Sequence, residues 1–311
     1  MKFVTFEKED GSISAGWLID EEHVLDMFEA SSGLLPNNLL DFLDHSKEYM
    51  KKVASLTQVT CGQSGVYQLS EIHLKAPIPM PRSFRDFYAF EQHVKTAREN
   101  RGLEMISEWY EIPVFYFSNH LAIKGPGEDI VLPNGCERLD YELEIACIIG
   151  KEGRNIFEDE ADDYIFGYCI LNDWSARDLQ RKEMKVGLGP AKGKDFSTSI
   201  GPWIVTKDEL ASLKRGKGFD LSMKARVNGK LLSEGNMKDI YYSFGEMIAR
   251  ASQGVTLYPG EIIGSGTVGT GCILELGTEI HRWLEPGDQV ELEIDHLGVL
   301  KNTIINGKEV K

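Results

Sequence analysis

From residue 139 onward the chain is a succession of short apolar runs rich in Ile, Val and Tyr, separated by glycine and asparagine turns. That pattern commits most of the molecule to sheet. The runs are LDYELEIACIIG, YIFGYCILND, IGPWIVT, FDLSMKARVNGKLLSEG, VTLYPGEIIGSGTVGTG and DQVELEIDHLGVLKNTIING. β-Branched and aromatic side chains fit the pleated, half-buried surface of a strand. Asn228-Gly229 and Asn306-Gly307 are hairpin-turn dipeptides, because both residue types tolerate positive φ.

Helical spacing is confined to a few stretches. SFGEMIARASQ reads as a helix between strands, and FRDFYAFEQHVKTARENRG as an entry turn and a helix ending at Gly102. Near the N-terminus, KFVTFEKEDGSISAGWLI alternates around Asp10-Gly11 as a hairpin, and NNLLDFLDHSKEYMKKVASL follows as an amphipathic helix. Pro77, Pro79 and Pro81 break regular structure and mark a linker over 74–82. The reading is an α+β, β-rich protein with a small N-terminal β domain over 1–76, carrying a helix, and a larger domain over 77–311.

The formal net charge is −15, from 49 acidic against 34 basic residues. A chain this acidic does not hold a polyphosphate backbone non-specifically, so nucleic acid is not expected as a partner. No stretch approaches the roughly 18 apolar residues of a membrane span, and MKFVTFEKEDGS lacks the apolar run of a signal peptide. The five cysteines, Cys61, Cys136, Cys147, Cys169 and Cys272, are scattered without a C-x-x-C. Cys147 and Cys169 lie within apolar runs and read as buried free thiols, and the absence of a disulfide framework suggests a cytosolic setting.

Two nucleotide motifs fail on context. Gly264-Ser-Gly266-Thr-Val-Gly269 matches the dinucleotide fingerprint, but the CILELG that follows reads as a strand where a helix is required. In GLGPAKGKD, Gly189 and Gly193 are too close and Asp195 stands where Ser or Thr is needed. The seven histidines contain no H-E-x-x-H, which argues against a histidine zinc site.

The carboxylates carry more. Glu142 and Glu144 are two apart in a strand-like run, so their side chains share a face. That face continues as Ala146 and Ile148, which favours burial, and a hard divalent cation is one way to stabilise two buried carboxylates. The same E-x-E pattern at Glu291 and Glu293, opposite Val290 and Leu292, reads as a half-exposed strand, so a solvated face is the competing reading at Glu142. Asp173 ends an apolar strand. Ser175 with Asp178 fits a capping box opening a helix that carries Arg177 and Gln180. Arg177, Arg181, Lys182, Lys185, Lys192 and Lys194 are set against only Asp178 and Glu183. They form either a solvated helix face or an anion site beside a metal.

Taken in order, R-D-F-Y-A-F-E-Q-H (85–93), D-Y-E-L-E (140–144), N-D-W-S-A-R-D-L-Q (172–180), G-K-D-F-S-T-S-I-G-P-W (193–203), G-S-G-T (264–267) and L-E-L (274–276) resemble the fumarylacetoacetate hydrolase family. The resemblance implies a mixed β-roll catalytic domain behind a small N-terminal β domain, assembled as a homodimer. It implies a divalent ion, Mg²⁺ first and Mn²⁺ or Ca²⁺ as alternatives, on Glu142, Glu144 and Asp173, with Asp86 as a fourth ligand. It makes His93 the water-activating base, oriented by Glu275, and Lys194 the stabiliser of developing negative charge. Tyr88, Arg177, Gln180 and Thr267 would orient a small anionic keto-acid. The activity so implied is hydrolysis of a C–C bond in a 1,3-diketo acid such as an acylpyruvate, fumarylpyruvate or fumarylacetoacetate. Oxaloacetate decarboxylation, isomerisation of a 2-hydroxyhepta-2,4-diene-1,7-dioate, and a weakly catalytic metal-loaded binding or scaffold protein are the alternatives. The family's tyrosine after the glutamine is replaced near Met184, and its substrate arginine has no aligned partner beyond nearby Arg98 and Arg101.

Overall fold

The computed structural model describes residues 1–56 and 64–307; Cys61 and the second strand of any hairpin at Asn306-Gly307 fall outside them. Strands β1 (Lys2–Glu7), β2 (Ile13–Leu18) and β3 (His23–Asp26) form an antiparallel meander. Its first turn is the one read at Asp10-Gly11, with Gly11 at φ +80° and the Asp10 carboxylate accepting the Ser12 amide. The helix expected after it is two, α1 (Leu39–Asp44) and α2 (Ser46–Leu56), divided at His45, which leaves helical geometry at φ −126°. Asn38 opens α1 by accepting the Asp41 amide. α1 presses Phe42 against Phe3 of β1, with ring centroids 5.1 Å apart. β4 (Val66–Gln68) closes this edge against β3.

The linker read over 74–82 starts too early, because His73–Lys75 is a strand paired with β1. From Ala76 the chain runs irregularly into β5 (Phe84–Phe87), so FRDF is a strand rather than an entry turn. Then come α3 (Glu91–Glu99), β6 (Phe115–Phe117), β7 (Leu139–Asp140), β8 (Leu143–Ile149), β9 (Ile165–Asn172) and β10 (Ser175–Ala176). They are followed by α4 (Arg177–Met184), β11 (Thr198–Thr206), β12 (Ser222–Val227), β13 (Lys230–Asn236) and α5 (Phe244–Ser252). The last elements used below are β14 (Ile262–Gly264), α6 (Ile273–Leu276), β15 (Gln289–Ile294) and β16 (Gly298–Ile305).

The main sheet runs β4-β3-β2-β1-β11-β9-β8-β14-β5-β6, so the N-terminal meander continues the later sheet through β1 and β11. All its neighbours on this path are antiparallel except β14 with β5. Strands β8 and β9 are buried along their whole length. In β8, Leu143, Ile145, Cys147 and Ile149 enter one core, while Ala146 and Ile148 enter the other. A strand between two cores is apolar on both faces, and each such Ile or Leu contributes roughly 1.5–3 kcal/mol of burial. A second sheet, β13-β12-β15-β16, has one face in the core and one in solvent. There Glu291 and Glu293 keep side-chain exposures of 30% and 35%, as their alternation implied.

Two local readings are corrected. CILELG is not a strand: residues 273–276 form a short helix, because the Asp140 carboxylate accepts the Ile273 and Leu274 amides at 2.8 and 3.0 Å. The exclusion of a dinucleotide site therefore rests on other ground. The Gly266 amide is already taken by carboxylates, and the helix that follows has a single turn. The Ser175–Asp178 capping box does not form. Ser175 sits in β10 and donates to the Asp173 carbonyl, Asp178 accepts the Glu137 amide, and α4 starts at Arg177 without a side-chain cap.

Candidate active site

Adjacent strand ends bring the carboxylates together. In the order β9-β8-β14-β5-β6, Asp173 follows the end of β9, Glu144 lies in β8, Gly264 ends β14, Asp86 lies in β5, and Tyr116 faces Asp86 from β6. Carboxylate oxygens of Asp86, Glu144 and Asp173 all lie within 4.8 Å of one another, and all three residues are at most 3% exposed. Gly264 makes this convergence possible: a Cβ there would stand 2.3 Å from Asp86 Oδ1 and 3.4 Å from Glu144 Oε2. Gly266 is required for a second reason. Its φ is +77°, and a Cβ would meet the Phe87 carbonyl at 2.5 Å. Its amide donates to Glu144 Oε2 at 3.1 Å, and Thr267 Oγ1 donates to Glu144 Oε1 at 3.3 Å. The G-S-G-T run is thus a clasp on the carboxylates.

Glu142 lies just before β8 and joins the same buried network by a different route. Arg177 Nη2 donates to its Oε1 at 2.8 Å, and the Lys194 ammonium bridges Glu142 Oε2 to Asp173 Oδ2. The Tyr116 hydroxyl donates to the same Asp173 oxygen. The tightest trio is therefore Asp86, Glu144 and Asp173, with Glu142 held one lysine away.

Electrostatics follow from this packing. Burial and the neighbouring Asp173 charge hold the Asp86 carboxyl well above the usual range, and burial with Asp86 and Asp173 does the same for Glu144. Burial would also raise Glu142, but Arg177 and Lys194 outweigh it and hold that carboxyl low. Burial opposes the Lys194 charge, yet Asp173 and Glu142 keep the ammonium protonated beyond its ordinary range. Among the described residues, Asp173 Oδ1 finds no hydrogen-bond donor despite its complete burial. Three clustered carboxylates with an unsatisfied buried oxygen and space kept open by a glycine fit a hard divalent cation bound by oxygen.

Beside these carboxylates stands a His–Glu pair. His93, on α3, is 4% exposed. Its Nδ1 lies 2.5 Å from Glu275 Oε1, and its Nε2 is 3.9 Å from Glu142 Oε1. The Tyr88 ring stands edge-on to the imidazole, with centroids 5.3 Å apart. Glu275 is fixed in turn by the Thr270 amide at 3.0 Å. Gln180 Oε1 accepts from Arg177 at 3.2 Å. The residues to which the resemblance gave site roles thus fall in one region, whereas the basic cluster divides. Arg177 and Lys194 are buried at the site, while Arg181, Lys182, Lys185 and Lys192 are exposed. A cleft of about 800 Å³ lined by residues including Asp44, Lys51, Arg82 and Tyr258 contains none of them.

Three positioning residues escaped sequence reasoning. Asp140, fully buried, accepts Arg177 Nε at 2.9 Å as well as the two α6 amides, tying the Glu142 side of the site to Glu275. Glu183 accepts the Ala191, Lys192 and Gly193 amides and so shapes the loop that delivers Lys194. Tyr116 is the third. Only Asp140 had a sequence signal, as the first residue of D-Y-E-L-E.

Residues 82–305 match the family described as fumarylacetoacetate (FAA) hydrolase, C-terminal, and the chain belongs to that family. It is 31% identical to oxaloacetate tautomerase YisK of Bacillus subtilis (strain 168), over 98% of this chain and 100% of that protein. It is 30% identical to fumarylacetoacetase of Arabidopsis thaliana, over 72% of this chain and 67% of the other. A solved fumarylacetoacetate hydrolase from psychrophilic Exiguobacterium antarcticum superposes with a TM-score of 0.77 at 27% identity, covering 98% of this chain and 99% of that one. Among the described residues no helix is long and apolar enough to cross a membrane.

Proposed function

We propose that the protein hydrolyses a C–C bond in a small 1,3-diketo acid, with His93 as the base that activates water. The observation that carries this reading is the His93–Glu275 pair, whose Nε2 points to the carboxylate cluster, 3.9 Å from Glu142 Oε1. A divalent cation held by Asp86, Glu144 and Asp173, with Glu142 alongside, would polarise the keto-acid oxygens as a Lewis acid.

The chain's own groups do the rest. Lys194 and Arg177 place two positive charges among the carboxylates, where they would attract an anionic head group, and Thr267, Gln180 and Tyr88 stand against Glu144, Arg177 and His93. Glu275 accepts a hydrogen bond from Nδ1–H, keeps the proton on that nitrogen, and so leaves Nε2 as the acceptor nitrogen. Nε2 takes a proton from water, and the hydroxide adds to the distal carbonyl. The C–C bond then breaks toward the keto-acid fragment, whose carbanion is stabilised as an enolate facing Lys194. The proton on Nε2 is delivered to that carbon, giving a carboxylic acid and a 2-keto acid. General-base assistance of this kind supplies about 10²–10⁴ in rate.

A second reading is favoured by the full-length similarity to an oxaloacetate tautomerase. The same pair would then move a proton between carbon and oxygen of oxaloacetate without adding water. One experiment separates the two. The protein, supplied with Mg²⁺ or Mn²⁺, is given an acylpyruvate and, separately, oxaloacetate, while enol absorbance and released carboxylic acid are followed. Hydrolysis gives one acid per enol consumed. Enol–keto interconversion of oxaloacetate with no acid released from acylpyruvate overturns the hydrolase reading in favour of the tautomerase.

A further inference from the structure

On the far side of His93 lies a cluster whose chemistry differs from that of the carboxylates. A ring nitrogen of His93, Cys272 Sγ and a carboxylate oxygen of Glu275 all lie within 4.8 Å of one another, and Nδ1 is the nitrogen that meets Glu275. The Cys272 thiol is fully buried and reaches Glu275 Oε1 at 3.6 Å. We propose that these three side chains form a binding site for a zinc-like divalent ion, and that an ion bound there silences His93 as a base. The site stands on geometry alone; its inhibitory consequence rests on the function proposed above.

The ligand types decide which ion belongs where. Asp86, Glu144 and Asp173 offer only oxygen, which suits Mg²⁺ or Mn²⁺. A thiolate, an imidazole and one carboxylate select a softer ion. Tetrahedral zinc with ordinary bond lengths sets its ligand atoms about 3.3–3.6 Å apart. The Cys272–Glu275 separation of 3.6 Å already meets this, and His93 and Glu275 need to part by about 1 Å. Asp140, Glu142 and Glu275 add negative charge around the thiol, with Arg177 opposing them. Three protein ligands would leave the fourth tetrahedral position of the ion to water.

Loading is a proton-balanced exchange. The Cys272 S–H bond breaks, its proton goes to solvent, and sulfur binds the ion. Burial holds the thiol's pKa well up, so the thiolate forms together with ion binding rather than before it. His93 Nδ1 gives up the proton it shares with Glu275 and binds the ion, while Nε2 takes a proton from solvent, so the imidazole stays neutral. The nitrogen facing the substrate cavity is then protonated and can no longer accept from water.

Cobalt reports on such a site, because thiolate ligation produces a near-ultraviolet charge-transfer band. The full-length protein is first saturated with Mg²⁺ to occupy the carboxylates, then titrated anaerobically with Co²⁺. The expected result is a thiolate band that saturates at one equivalent and is bleached by Zn²⁺. Cys272→Ser should abolish the band, and His93→Gln should weaken Co²⁺ binding about tenfold or more. No thiolate band at saturating Co²⁺, or a band of full intensity in Cys272→Ser, overturns the proposal. Should Cys272→Ser fail to fold, undiminished Co²⁺ affinity in His93→Gln does the same. None of these readouts needs turnover, so they stand apart from the outcome of the activity screen.

Discussion

His93 Nδ1 and Glu275 Oε1 meet at 2.5 Å although they are 182 residues apart, and neither is solvated: their side chains are 5% and 2% exposed. A buried carboxylate on one ring nitrogen fixes the orientation and tautomer of the other. His93→Ala should therefore lower the acylpyruvate cleavage rate by about 10²–10⁴. Glu275→Gln should act in the same direction, because a neutral amide tolerates either tautomer. Initial rates at saturating Mg²⁺ test both, and turnover undiminished in His93→Ala would remove His93 from the chemistry.

Gly264→Ala should abolish high-affinity Mg²⁺ or Mn²⁺ binding while leaving the fold in place. The new methyl group would enter the space between Asp86 and Glu144, 2.3 Å from an Asp86 oxygen. Real Cβ atoms do not approach an oxygen that closely, so a carboxylate must turn away. Isothermal calorimetry gives the affinity and circular dichroism the fold. Wild-type affinity would show that the ion does not sit between these two carboxylates.

Much of this site was legible because its motifs are local: D-Y-E-L-E, N-D-W-S-A-R-D-L-Q and G-S-G-T each supply residues to the cavity. What separates them from look-alikes is not local. Glu142 and Glu144 share the E-x-E pattern of Glu291 and Glu293, yet the first pair is 4% and 0% exposed while the second faces solvent. The difference arises because β8 has β9 and β14 on either side and a core on each face, whereas β15 packs on one face only. The helix at 273–276 was misread for a related reason. Its first amides are satisfied by Asp140, 133 residues earlier, and alternation within CILELG says nothing of that partner. Tyr116 reaches Asp173 through strand pairing with Asp86, which no spacing announces.

The metal-free protein should lose stability as pH rises, and Mg²⁺ should remove that slope. Burial and neighbouring charges raise the Asp86 and Glu144 carboxyls well above their ordinary values. Between an unfolded pKa of about 4 and those raised values, the folded state binds more protons than the unfolded one. Stability therefore falls with rising pH in that window. Glu142 is shifted down, so its favourable contribution is present above the ordinary glutamate range and is lost only in strong acid. Tm measured from about pH 5 upward, in EDTA and in Mg²⁺, reads the effect. A Tm rising with pH in EDTA would contradict the clustered carboxylates.

Asp140 joins the two halves of the site, and its substitution should show this as non-additivity. One oxygen accepts Ile273, and the other accepts Leu274 and Arg177. Asp140→Asn must turn an amide NH₂ toward one set of donors, and it leaves Arg177 with Glu142 as its remaining buried counter-charge. The stability cost should be about 1–3 kcal/mol, with kcat falling about 10–100-fold through misplacement of Glu275. If Asp140 acts through that residue, Asp140→Asn should cost little further rate in a Glu275→Gln background, since coupled residues do not add. Full additivity of the two rate losses would mean that Asp140 supports the fold without positioning the His93–Glu275 pair. Parallel thermal unfolding of the single and double variants separates the stability cost from the catalytic one.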